Sequence, residues 1–434
     1  MLAAAGSAVG LGNIWRFPTE TAENGGAAFL IVYLVCCFII GFPVMVAELA
    51  IGRSTQKNAV GAFKALTSNR FFPLVGMWGL ACGVMILSFY TVVAGWTLSY
   101  VFVEIFRYIG LDDLAALLAD FDNGWVNAGF ALVFMLGTIR IVQGGVSDGI
   151  EKATRTMMPL LLVIMLIMIG YTLTLDGAST GVAVYLQPDF SKVDGSLILD
   201  ALGQAFFSLS LGMGALITYG SYLSKNENIA SAAAVVTLSD LCIAFLAGFL
   251  ILPAMYVAQE SGMAIIAEDG TLLAGPSLIF QVLPNVFHQI GGIFGLIFSV
   301  TFFLLLSIAA LTSTISLLEV PVSYAVDERG WSRRQAATRI GFGILLVSLA
   351  IAFRTSLIDS VDFIFSTIGL PLGGLLIAVF VGYHWMTSSA MAEIREGGPE
   401  QETALFYRFW PIFIKYISPL LILFVLIQTI YNRF

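Results

Sequence analysis

Gly6-Ser7-Ala8-Val9-Gly10-Leu11-Gly12-Asn13 and Phe207-Ser208-Leu209-Ser210-Leu211-Gly212-Met213-Gly214 decide how this chain folds. One lies in each half of the sequence. Each sits in a stretch apolar enough to cross a membrane, yet places glycine and small polar residues where an unbroken helix wants bulk. A glycine costs about 1 kcal/mol against alanine in a helix interior. Backbone that unwinds at membrane depth persists only where protein or a water-filled cavity satisfies its amides and carbonyls. Two such interruptions, one per half, point to a solute site near the bilayer midplane.

The rest of the chain agrees with a membrane setting. Of 434 residues, 59% are hydrophobic and 11% charged, against about 25% charged in a soluble domain. The net charge of −8 has the wrong sign for phosphate, so no nucleic-acid partner is expected. Cys36, Cys37, Cys82 and Cys242 all fall in apolar runs and read as small buried hydrophobes. Neither His288 nor His384 has neighbouring ligands in sequence, which argues against a metal site built on them. The start is apolar without a basic leader and runs into the first interruption, which argues against a cleaved signal.

Eleven spans are expected, near 2–21, 26–51, 74–107, 124–142, 154–175, 196–222, 228–258, 291–324, 336–354, 361–386 and 409–430. The reading is one all-α polytopic membrane domain over 1–434. An apolar piece near 272–287 is too short to span and is expected as a loop helix on the outer face. With the N-terminus in the cytoplasm, the cytoplasmic side collects Arg53, Lys57, Lys64, Arg70, Arg140, Lys152, Arg155, Lys225, Arg329, Arg333, Arg334, Arg339, Arg395 and Arg408. The other side holds Arg107, Lys192, Arg354 and Arg433. That asymmetry fixes the orientation and puts the C-terminus outside. The interruptions fall in spans 1 and 6, five spans apart, so equivalent positions face opposite ways. That is an inverted 5+5 repeat, with halves near 1–175 and 196–386 and an extra helix near 409–430.

Interrupted backbone frees carbonyls, which suit a hard cation, and amides, which suit an anion. The first interruption offers carbonyls at Gly6, Ala8 and Val9, the Asn13 side-chain oxygen, and amides at Leu11 and Gly12. The second offers carbonyls at Phe207, Ser208 and Ser210 and the Ser208 hydroxyl. Packing through small residues is the alternative reading of both. Asp240 lies inside span 7, and an intramembrane carboxylate needs a cation or a proton. Thr312, Ser313 and Thr314 in span 8 either bond back to their own helix or supply cation ligands. Arg16 and Asp362 sit near the outer ends of spans 1 and 10, where pairing or a water bridge would relieve both. Glu48, near the inner end of span 2, reads as a snorkelling or capping group.

Gly6-Ser7-Ala8-Val9-Gly10-Leu11-Gly12-Asn13-Ile14-Trp15-Arg16-Phe17-Pro18, followed by Glu23-Asn24-Gly25-Gly26, resembles the neurotransmitter:sodium symporters. So do Gly203-Gln204-Ala205-Phe206-Phe207-Ser208-Leu209-Ser210 and Leu311-Thr312-Ser313. The resemblance runs through essentially the whole chain. The span count and the Gly212-Met213-Gly214 variant look most like a bacterial member that carries several hydrophobic amino acids. The resemblance implies the LeuT fold, sodium-driven symport by alternating access, no enzymatic activity, and a bacterial inner membrane location. It implies a first sodium site of Ala8, Asn13, Ser208 and Asp240, completed by the substrate carboxylate. It implies a second of Gly6, Val9, Ala309, Thr312 and Ser313. The substrate carboxylate would meet the Leu11 and Gly12 amides and the Tyr90 hydroxyl. Its ammonium would meet carbonyls of Ala8, Phe207, Ser208 and Ser210. Ser7, Ile86, Phe207, Met213, Ser313 and Leu317 would wall the side-chain pocket. Tyr90 with Phe207 would form a thin lid, and Arg16 with Asp362 the outer gate, Gln204 beside it.

Departures from the family refine this. Eukaryotic members carry asparagine where Asp240 stands and bind chloride nearby, so a fixed carboxylate here implies chloride independence. The family's cytoplasmic tail, with its latch arginine, is missing, which leaves Asp327 without that partner. A twelfth span is missing, and a monomer in lipid is expected. Amine transporters carry aspartate where Gly10 stands, so Gly10 leaves room for the substrate's own carboxylate. With Met213 able to repack around different shapes, the implied substrates are aliphatic and aromatic hydrophobic L-amino acids. A transporter of another small amino acid or amine, a passive pore and a non-transporting amino-acid receptor are the alternatives. Gly149 and Pro159 bracket the start of span 5, which the family analogy expects to unwind and hydrate the second sodium site. An ordinary helix entry is the other reading.

Overall fold

The computed structural model describes residues 8–263, 265, 278–385, 387–397 and 404–433; the side chains of 289, 290, 404, 405, 432 and 433 are not part of that description. Among the described residues every regular element is helical. Nine are long and apolar enough to cross a bilayer: α2 (Ala27–Thr55), α3 (Phe72–Tyr108), α4 (Gly124–Gln143), α5 (Val146–Thr172), α7 (Ile229–Glu260), α8 (Gly292–Arg329), α9 (Arg333–Ala352), α10 (Leu357–His384) and α11 (Phe406–Tyr431). The two other expected spans are the interrupted ones. α1 is the wide-turn helix Gly12–Arg16 running on as Phe17–Glu23. The sixth is split into α6a (Gly195–Ser208) and α6b (Ala215–Gly220).

Packing follows the repeat. α3 lies along α8, and α4 along α9. α1 packs on α7, and α2 contacts α6a, α6b and α7. Three of these pairs, α3 with α8, α4 with α9 and α2 with α7, join spans five apart. The exposed large apolar side chains, such as Leu166, Ile167, Val235, Leu346 and Phe424, face outward where lipid would replace water. Cys36, Cys37 and Cys82 are buried as expected, whereas Cys242 is exposed on α7.

Several elements differ from the sequence expectation. α5 begins at Val146, with a wide first turn to Glu151, so the Gly149–Pro159 stretch is helical rather than unwound. Gly149 is there for closeness: a Cβ on it would lie 2.2 Å from the Ile141 carbonyl. Short helices at Ala59–Leu66, Asp112–Ala119, Ala178–Leu186 and Thr387–Arg395 cap or connect the spans. The expected loop helix is present as Leu278–Val282 and Leu283–Ile290, packed on the start of α8.

Candidate functional site

Both interruptions are real and are held by different devices. In the first, the helix is broken at Val9 and Gly10. The Asn13 Oδ1 accepts from the Gly10 amide at 2.8 Å, satisfying a donor the helix leaves orphaned. In the second, Ser210, Gly212 and Gly214 all adopt positive φ, at 55°, 77° and 77°. That is costly for Ser210 and easy for the two glycines. A side chain at Gly212 would also lie 2.1 Å from the Leu370 carbonyl.

The two breaks face one narrow cavity at the centre of the bundle. Ala8, Gly12, Ile86, Tyr90, Phe207, Ser208, Ser210, Met213, Ser313 and Leu317 line it, all of them expected substrate contacts. Gly10, expected beside the substrate carboxylate, lines it too, as do Ala215 and Ser316, which were not expected. Leu11 does not. Its amide donates to the Tyr90 hydroxyl at 3.0 Å, and its side chain lines the neighbouring vestibule. Gly10 is also corrected. A Cβ there would lie 1.8 Å from Ser313 Oγ, so the serine hydroxyl already occupies the space its missing side chain leaves. Gly6 and Ser7 lie outside the described residues.

Beside the cavity, Asp240 is fully buried inside α7 rather than at an interface. Its Oδ1 accepts from Asn13 Nδ2 at 2.6 Å and from Ser208 Oγ at 2.7 Å. Asn13 Nδ2 also reaches Ser208 Oγ and the Asp240 carbonyl, each at 3.1 Å. The structure thus brings together Asn13, Ser208 and Asp240 from spans 1, 6 and 7, whereas no described side-chain bond joins Ala8 to them. Sequence reasoning missed Tyr33, whose hydroxyl donates to Asp240 Oδ2 at 3.0 Å. Across the break, the Thr312 hydroxyl donates to the Val9 carbonyl at 2.7 Å and to the Ala309 carbonyl at 2.8 Å. The bond back to its own helix is thus present, and the same hydroxyl ties α8 to the first break. Carbonyl, hydroxyl, carboxamide and carboxylate oxygens form a donor set suited to a hard monovalent cation.

Glu48 is no snorkelling group. It is fully buried in α2, and its Oε1 accepts from the Gly212 amide at 2.7 Å. A carboxylate from the neighbouring span satisfies unwound backbone that water cannot reach. Gln204 is corrected as well: it is fully buried and donates to the Gly12 carbonyl at 2.8 Å, tying α6a to α1. No described contact joins it to the Arg16–Asp362 pair.

Tyr90 and Phe207 line the central cavity and a vestibule of about 930 Å³ above it, as a thin partition would. Arg16 lies at that vestibule, 3.6 Å from both Asp362 and Glu20, with its guanidinium 4.6 Å from the Phe207 ring centre. On the opposite side a second vestibule of about 1130 Å³ is lined by Glu151, Tyr219 and Tyr222. Tyr219 donates to Ser316 Oγ at 3.0 Å, which closes the cavity floor. Below it, Tyr222 donates to Glu319 at 2.6 Å, and Arg333 pairs with the same carboxylate. Asp327 accepts from the Asn58 amide and side chain, so it has a partner of its own.

The chain matches the Sodium:neurotransmitter symporter family over residues 1–110 and 114–433. An uncharacterized sodium-dependent transporter of Bacillus subtilis, YhdH, is 35% identical over 99% of this chain and 96% of its own. One from Haemophilus influenzae is 32% identical with the same coverage. The crystal structure of MhsT in complex with L-phenylalanine superposes with a TM-score of 0.86 at 41% identity, covering 99% of this chain and 97% of that one. The resemblance read from the motifs, including its bacterial variant, is borne out.

Proposed function

This chain belongs to the sodium:neurotransmitter symporter family, and we propose that it imports hydrophobic L-amino acids, aliphatic and aromatic, by sodium-coupled alternating access without needing chloride. It is a sodium-dependent secondary transporter of the membrane and not an enzyme. The observation that carries the substrate class is the central cavity. Its backbone end, at the Gly12 amide and the Tyr90 hydroxyl, offers donors to a carboxylate. Its far end is Ile86, Met213, Ala215 and Leu317, with no charged side chain among the lining residues. A zwitterion with an apolar side chain satisfies both ends. A basic or acidic side chain would leave a buried charge unpaired. The similarity to MhsT, which was crystallised with L-phenylalanine bound, supports the same class.

Two sodium ions fit the two oxygen clusters, Ala8–Asn13–Ser208–Asp240 and Val9–Ala309–Thr312–Ser313. The first would touch the substrate carboxylate, so sodium and substrate raise each other's affinity. Asp240 supplies a fixed negative charge, which removes the need for chloride. The N-terminus faces the cytoplasm, the Arg16–Asp362 vestibule faces outside, and the protein works as a monomer. The test is sodium-dependent binding of labelled leucine or tryptophan to the purified chain, with unlabelled amino acids as competitors. Hydrophobic residues should compete, and glycine, lysine and glutamate should not. Effective competition by lysine refutes the substrate class, and loss of uptake on replacing chloride with gluconate refutes chloride independence.

A further inference from the structure

The central cavity is narrow, with about 30 Å³ of free space. A cavity that takes a benzene ring has about 150 Å³. A pocket that serves aromatic side chains, as proposed above, must gain room from its wall. Protein interiors leave few gaps, so a gap beside the pocket is a distinct feature. The wall holds one at Gly83 in α3. A Cβ built on Gly83 would meet nothing within 4 Å. Other described glycines share that property, Gly129, Gly170 and Gly343 among them, but all of those are at least partly exposed. Gly83 alone of that set is buried.

The gap lies on the cavity side of α3. Helix residues three and four apart share a face. Gly79, Gly83, Ile86 and Tyr90 follow that spacing and form one stripe. Ile86 and Tyr90 line the cavity. At the inner end of the stripe, a Cβ on Gly79 would lie 2.9 Å from the Met213 carbonyl carbon and 3.2 Å from the Gly214 amide nitrogen. The backbone of the second break thus rests against the stripe one turn below Gly83. Cβ positions four apart on a helix are about 5–6 Å from each other, within reach of a methionine side chain. Met213 is buried and lines the cavity. Its side chain is unbranched and repacks readily, whereas Ile86 is β-branched and stiff.

We propose, resting on the hydrophobic amino-acid reading, that Gly83 sets the upper size of the substrate side chain: when an aromatic ring enters the cavity, Met213 turns aside into the gap beside Gly83. The donor end of the cavity, at Gly12 and Tyr90, stays as it is, so room is gained only at the apolar end. A small aliphatic side chain leaves Met213 in place and does not draw on the gap. A methyl group on Gly83 takes that space without touching anything in the unliganded protein. It meets the methionine only when a large substrate displaces it. Filling the gap thus leaves the empty protein unstrained and overpacks the aromatic complex.

The test is displacement of labelled leucine from the purified full chain in nanodiscs, at saturating sodium, by valine, leucine, phenylalanine and tryptophan. Gly83→Ala should melt no lower than wild type, since alanine is the better helix former and the site has room. Its affinity for valine and leucine should stay within about twofold, while that for phenylalanine and tryptophan should fall about tenfold, as overpacking by a methyl group costs. Adding Met213→Ala should return phenylalanine toward the wild-type value, because a shorter side chain needs no gap. A lower melting temperature for Gly83→Ala overturns the gap itself. An unchanged ratio of tryptophan to valine overturns the size limit and leaves the substrate reading intact. An equal loss for all four amino acids also overturns it, since the methyl would then act on the whole site. A double variant no better than Gly83→Ala overturns Met213 as the group that moves. Wild type that binds none of the four refutes the substrate reading, and the size limit with it.

Discussion

Asp240→Asn is the substitution that separates charge from shape at the proposed first sodium site. The carboxylate accepts from Asn13 and Ser208 on one oxygen and from Tyr33 on the other. Asparagine keeps the first oxygen in place. Its amide then faces the Tyr33 oxygen, which turns from donor to acceptor. Geometry survives and the negative charge does not. A unit charge about 4 Å away in an effective dielectric near 20 is worth about 4 kcal/mol. The amide oxygen retains part of that, leaving a loss of about 2 kcal/mol, or about thirtyfold in sodium affinity. The assay is thermal unfolding of purified protein across a sodium titration, with and without chloride. Ligand that binds only the folded state stabilises it in proportion to the logarithm of its concentration over its dissociation constant. The Asp240→Asn midpoint should move to about thirtyfold higher sodium. Without sodium the variant should melt no lower than wild type, because a buried charge has been removed. Wild type should be indifferent to chloride. A variant with unchanged sodium response refutes the assignment of Asp240, and a chloride-dependent wild type refutes the idea that its carboxylate stands in for an anion.

Gly10→Ala should abolish substrate binding while the protein still folds, since the new methyl lands 1.8 Å from Ser313 Oγ; adding Ser313→Gly should restore part of it, and full binding by Gly10→Ala alone would refute the fit. Glu48→Ala strands the buried Gly212 amide and should cost about 1–3 kcal/mol of stability, read as a lower melting temperature, whereas Glu48→Gln keeps an acceptor and should lose less. Asp194 caps α6a through the Leu197 amide at 2.9 Å, and that hydrogen bond, first, with Ser196 holds its carboxyl below the ordinary value of 3.8. A lowered folded-state value means the stabilisation is present above the ordinary value and is lost as pH falls below it. The acid side of the melting profile should therefore flatten in Asp194→Asn, and an unchanged profile would count against the cap.

What the sequence revealed was whatever is written in one stretch of chain. The interruptions, the span pattern and Asp240 inside an apolar helix are all local, and ten cavity residues followed from the family resemblance that the interruptions carry. What stayed hidden depends on which distant group arrives. Glu48 looked like a helix-end acid because nothing nearby in sequence shows that Gly212, 164 positions on, would need an acceptor. His288 and Glu104 are 184 positions apart and meet only in the fold. Tyr33 was not singled out, because nothing near it in sequence shows that it would meet Asp240, 207 positions on. Gly10 shows the limit most clearly: an absent side chain tells that space is required there, and only the fold tells that a serine hydroxyl takes it.

Asn13 connects these parts. Its Oδ1 holds the Gly10 amide, and its Nδ2 reaches Ser208 and Asp240. In this arrangement the oxygens proposed to hold the first sodium satisfy one another through that one carboxamide. Asn13 Oδ1 keeps a second lone pair beside the Gly10 hydrogen bond, and the Asp240 carboxylate keeps further acceptor sites, so a sodium ion at the proposed site adds contacts to a network that already holds its oxygens in place. The Gly10 amide it steadies through Asn13 sits at the cavity wall. Coupling at the proposed site is then electrostatic: the ion places a positive charge beside the position of a substrate carboxylate, and each favours the other.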